Sequence, residues 1–175
     1  MIDSVLTLIN TLFLTLRLQQ GPESIPRSPA ALFAVVAMWL LTVVFAVFAF
    51  DTAGADDFAF VLTTAAAGLY CYVMLLAVFG KSERLLPTLT SLIGCGTLLL
   101  AISALVFVSL KPFVGADDAL LVAYPFTLWS VPVEGHIISR ALDKPFMVGF
   151  VFALGVFMLQ VLLQQYIDPV TVGDS

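Results

Sequence analysis

Runs of apolar residues long enough to cross a lipid bilayer constrain this chain more than any other feature. About 20 apolar residues in a helix span the hydrocarbon core. Five segments reach that length: about 30–50, 58–80, 86–110, 119–139 and 146–167. With 61% hydrophobic and only 11% charged residues in a chain of 175, a water-soluble domain could not hide the apolar surface. The links between segments are too short to hold a soluble domain. The sequence therefore predicts an all-α membrane protein with five transmembrane helices over 29–167. An amphipathic helix precedes them at 1–20, and a short tail follows at 168–175. Met1, Ile2 and Asp3 lack the positive start of a cleavable signal peptide.

Basic residues give the orientation. An odd number of crossings puts Arg17, Arg27, Lys81, Arg84, Arg140 and Lys144 on one side and leaves Lys111 alone on the other. The positive-inside rule then places the N-terminus in the cytoplasm and the C-terminus in the periplasm of a bacterial inner membrane. The opposite side is acidic, with Asp51, Asp56, Asp57, Asp117, Asp118, Asp168 and Asp174.

Before the first span, Ile2, Val5, Leu6, Ile9, Leu12, Phe13 and Leu16 recur at helical spacing and form one apolar stripe. Asp3, Ser4, Thr7, Asn10, Thr11 and Arg17 take the other face. Such a helix is expected to lie flat at the cytoplasmic interface as a membrane anchor or a docking face. Gly21-Pro22 and Pro26 end it. Pro29, Pro87 and Pro145, spaced 58 apart, start the three outward helices, since proline suits a first helical turn. Two outer turns read Gly-Ala-Asp-Asp, at 54–57 and 115–118. These features suggest an internal repeat of helical hairpins.

The fourth apolar segment is the exception. Residues 124–140, YPFTLWSVPVEGHIISR, hold Pro125, Pro132, Glu134 and the single histidine, His136. Each proline removes a helical donor, so a kinked and more polar helix is expected. Glu134 and His136 fall near the cytoplasmic edge, where ionisable groups reach headgroups or water. Two residues apart on a helix, they point in nearly opposite directions. His136 shares a face with Arg140 and Pro132, and Glu134 shares one with Ser130, Val131, Ile137 and Ile138. Both are expected to pair with Arg84, Arg140 or Lys144, with Trp129 packed inside. This group of Glu134, His136, Arg140, Trp129, Pro132 and Arg84 is the candidate ligand or partner site.

Small residues mark close helix contacts: Gly94 and Gly96 around Cys95, Gly149 with Ala153, and the run Ala65 to Gly68. Gln160 and Gln164 are placed to bond another helix. Cys71 and Cys95 read as buried small residues. One histidine excludes a histidine-based metal site unless carboxylates supply the other ligands, and no nucleotide-binding or hydrolase fingerprint is present. Neither a catalytic residue, nor a cofactor, nor a nucleic-acid partner is therefore expected.

The stretch RLLPTLTSLIGCGTLLL with WSVPVEGHIISRALDKPFMVGFVFALGVFMLQVLL resembles small uncharacterised membrane proteins of proteobacteria. The resemblance rests on Arg84, Thr88, Leu89, Thr90, Gly94, Trp129, Gly135, His136, Arg140, Ala141 and Leu142. The five-span, N-in arrangement is also similar to Yip1-type membrane proteins. The resemblance implies an architecture and no activity. Two functions follow from the residues. One is a non-catalytic inner-membrane subunit, adaptor or assembly partner, acting through contacts with other membrane proteins or a second copy. The other is a small oligomeric transporter or proton-linked channel built on the kinked fourth helix.

Overall fold

A computed structural model describes residues 2–50 and 55–167, of whose side chains 2–6, 55–57, 60 and 164–167 are not described. Seven α-helices follow one another among the described residues: α1 Ile2–Leu16, α2 Pro29–Ala49, α3 Ala55–Val78, α4 Leu85–Val114, α5 Ala116–Leu128, α6 Ser130–Leu142 and α7 Phe146–Ile167. Short 3-10 turns sit at Pro22–Ser24 and Ser82–Arg84. Four of the helices, α2, α3, α4 and α7, are long and apolar enough to cross a bilayer. The expected tail 168–175 and Gly54 of the first acidic turn lie outside the described residues, and residues 55–57 of that turn open α3.

Helix α4 is the axis of the bundle. Half of its most apolar stretch is buried, against 11–17% for α2, α3 and α7. Those three helices present bare apolar side chains such as Phe33, Phe48, Val78 and Val151, a surface suited to lipid and not to water. α2 and α5 pack along α4, α6 packs on α7, and α3 lies mainly against α7. Hydroxyls inside these helices donate back to carbonyls one turn earlier, as Thr90 does to Leu86 and Thr97 to Ile93. That bond satisfies a polar group without a partner from another helix.

Helix ends follow local chemistry. Pro29 is the first residue of α2, Pro87 the third of α4, and Pro145 immediately precedes α7. Each sits where a missing N–H costs nothing. Gly115 turns the chain between α4 and α5 at φ 87°, a conformation that a side chain would strain. The turn sets the two helices antiparallel, and Ser103 Oγ of α4 donates to the Ala123 carbonyl of α5. Asp143 closes α6 in the left-handed region, and the Lys144 N–H caps the Ser139 carbonyl at 2.9 Å.

The fourth apolar segment departs from the expected span 119–139. Two helices of 13 residues each, α5 and α6, replace it, and they meet at Trp129. The reason lies in Pro132, whose nitrogen cannot donate to Leu128. The chain therefore starts a new helix in which Pro132 occupies the tolerant first turn. Pro125 lies inside α5 without ending it.

The N-terminal helix forms as expected, but its buried side packs on protein. Leu8, Leu12, Thr15 and Leu16 are buried, whereas Phe13 is half exposed. Leu12 fills the space over Gly94, and its carbonyl accepts the Cys95 thiol at 3.7 Å. Gly94 is nine residues into α4, about 14 Å from its start. Thus α1 lies beside the bundle core, where the stripe gains protein contacts that a flat position at the interface would not give.

Candidate functional site

α6 has two polar faces, and they do different work. On one, three side chains hold the segment that leaves α1. Trp129 Nε1 donates to the Leu16 carbonyl at 3.2 Å, and His136 Nε2 meets the Gln20 carbonyl at 3.0 Å. A carbonyl only accepts, so Nε2 carries the hydrogen. One turn on, Arg140 pairs with Glu23. The Leu16 carbonyl belongs to the last turn of α1, where helical carbonyls lack donors; Trp129 supplies one. Its ring stays about half exposed, contrary to the expectation of a fully packed tryptophan.

Arg84 ties the end of α6 to the start of α4. Its Nη1 donates to Asp143 Oδ1 at 2.8 Å and to the carbonyls of Arg140 and Ala141. Lys81 meets the other oxygen of Asp143 at 2.8 Å. The hydrogen bond from Arg84, then that from Lys81, holds the Asp143 carboxyl down to about 2. The pairing expected for Glu134 and His136 with Arg84, Arg140 or Lys144 is not made. Arg84 serves Asp143, Arg140 serves Glu23, and His136 serves a backbone carbonyl.

Glu134 faces the other way, toward α3. Tyr72 Oη donates to its Oε2 at 2.5 Å. Glu134 lies eight residues before the end of α6, about 12 Å along the helix, and Tyr72 six before the end of α3, about 9 Å. Among the described residues, no Lys, Arg or His forms an ion pair with Glu134. The pair borders a cleft of about 230 Å³ that α2, α3, α4, α6 and α7 all line. It exists because α3 stands off from α2 and α4 while packing on α7. Trp39, Gln160 and Gly96 also face it, among apolar residues such as Val36, Leu69 and Ile93.

The small residues divide likewise. Gly149 and Gly135 let α7 and α6 approach closely, and Ala153 is fully buried. A Cβ on Gly96 would meet nothing within 4 Å, so Gly96 widens the cleft. Gln160 Nε2 donates to the Thr64 carbonyl at 3.1 Å, over Gly68; the side chain of Gln164 is outside the described set. Tyr72, Trp39, Glu23 and Asp143 were not singled out from the sequence. Tyr72 carried a signal: a phenol deep in an apolar helix needs a partner for its hydroxyl. Among the described residues, no three His, Cys, Asp or Glu side chains gather as a metal site.

Compared with known proteins, the chain matches no family model, no curated protein and no solved structure.

Proposed function

We propose that the chain is a multi-pass protein of the bacterial inner membrane that carries a small organic cation in exchange for protons. In this reading it crosses five times, with α5 and α6 as one broken crossing, the N-terminus cytoplasmic and the C-terminus periplasmic. The observation that carries the proposal is Glu134 at the wall of the cleft, bonded by Tyr72 and by no cation among the described residues. A carboxylate among apolar groups needs its charge balanced. A proton does this, and so does a positively charged ligand, so the two compete for one site. Trp39 and Tyr72 add ring faces that attract an organic cation. The apolar remainder of the cleft suits a hydrocarbon body of modest size.

The features that suggested an adaptor or assembly role are used within the chain. The stripe of α1 covers α4 and α6, Gly94 receives Leu12, Gly149 receives Gly135, and Gln160 bonds α3. The cleft is what they leave unassigned.

Proteoliposomes test the reading with benzyltrimethylammonium as probe. Wild-type protein is expected to bind it, to release protons on binding, and to move it toward the acidic side of an imposed pH gradient as protons leave in the opposite direction. Glu134→Gln should abolish all three, and Gly96→Val, whose Cβ enters open space within the cleft, should weaken binding at least about tenfold. Tyr72→Phe keeps the carboxyl and should shift the pH dependence of binding. Binding by Glu134→Gln at wild-type strength would refute the proposal.

A further inference from the structure

A second cavity, of about 510 Å³, opens at the basic end of the bundle, where α2, α4 and α7 begin. Four cationic side chains line it, Arg27, Arg84, Arg140 and Lys144, against two acids, Glu23 and Asp143. Both acids are already engaged: Asp143 with Lys81 and Arg84, and Glu23 with Arg140. Arg27 and Lys144 are exposed and form no ion pair among the described residues. The excess of two positive charges thus belongs to the cavity and not to a completed network.

The backbone adds to the same field. The starts of three long helices bring the positive ends of their dipoles to this end. Two helices, α3 and α6, end there and oppose them, and the last carbonyls of α6 are capped by Arg84. The guanidinium of Arg84 is thereby fixed in place before any ligand arrives. Arginine presents planar donor pairs that match phosphate oxygens, and helix starts favour the same anion.

From this we infer that the cavity binds a phosphate group, with Arg27 and Lys144 supplying the two charges that no described acid pairs with. Two sources offer that chemistry: the headgroup of an anionic phospholipid in the adjoining leaflet, and phosphate in solution. The site is separate from the Glu134 cleft, so the inference stands independently of the carrier reading.

Native mass spectrometry of the full chain in detergent separates the sources. One arm adds phosphatidylglycerol against phosphatidylcholine; the other adds inorganic phosphate alone. Preference for phosphatidylglycerol with no phosphate binding assigns a lipid headgroup. Binding of phosphate that displaces the lipid assigns a general phosphate site. In either arm the pair Arg27→Gln and Lys144→Gln is expected to lower binding about fivefold per charge, so roughly 30-fold together. Lys111→Gln, at the opposite end, should leave it unchanged. Neither Arg27 nor Lys144 makes an ion pair among the described residues, so the variants should fold; each single variant repeats the test at about fivefold. Wild-type binding in the double variant, no binding of either ligand by the wild type, or an equal loss per charge in Lys111→Gln would overturn the inference.

Discussion

Gly149→Ala should destabilise this bundle, whereas Gly155→Ala six residues along the same helix should not. A Cβ on Gly149 would stand 2.5 Å from the Ser139 nitrogen, 2.8 Å from the Ser139 Cβ, and closer still to the Gly135 carbonyl oxygen. Carbon atoms pack best at about 3.5–4.0 Å, so α7 would have to retreat by roughly 1 Å. Two of the three obstacles are backbone atoms, which cannot rotate away. A gap of up to 1 Å forfeits about a quarter to a half of each dispersion contact along the interface. The overpacking cost of about 1–3 kcal/mol should fall at its upper end here. Alanine's better helix propensity returns less than about 1 kcal/mol. The net loss is therefore about 2 kcal/mol, or roughly 4–8 °C in Tm for a chain of this size. At Gly155 nothing lies within 4 Å of the added atom, and only the propensity gain remains. Thermal unfolding of the two variants in one detergent, followed by fluorescence-detected size exclusion, compares them directly. Equal Tm values would refute the claim that α6 and α7 touch through Gly135 and Gly149.

Two further outcomes are expected at the basic end. The Asp143 carboxyl sits below its ordinary value because Arg84 and Lys81 bond it, so its pairing stabilises the fold fully above pH about 4. That contribution fades as pH falls towards 2. Asp143→Asn keeps the left-handed turn that Asn tolerates, and its stability deficit relative to wild type should shrink over the same window; a deficit independent of pH would exclude the ion pairs as its source. Trp129→Phe keeps the ring but loses the bond to the Leu16 carbonyl, worth about 1 kcal/mol. Proteolysis between residues 17 and 28 should then speed up about fivefold, and an unchanged rate would show that the indole does not hold this segment.

Residue chemistry alone reaches far in this protein. The long apolar runs dictate helices, because a helix satisfies its own backbone groups in a medium without water. Proline positions give helix starts to within a turn, and they flag the broken fourth segment. Spacing alone separates Glu134 from His136, since residues two apart diverge around a helix; the structure has them on different faces. The rotation of α1 is less legible. Thr15 and Leu8 are buried and Phe13 is not, because an apolar stripe says which side avoids water but not which part of it meets a neighbouring helix.

Partners were the work of tertiary structure. Arg84 had several acids within plausible reach along the chain, and the packing of α4 on α6 gave it Asp143. Glu134 had several bases near it in sequence, yet the standing-off of α3 brought Tyr72 to it and opened the cleft beside them. Local sequence determines where a chain turns helical and which groups require a partner. Which group answers depends on how the helices assemble, and that depends on glycine-lined contacts and close fits spread across the whole chain.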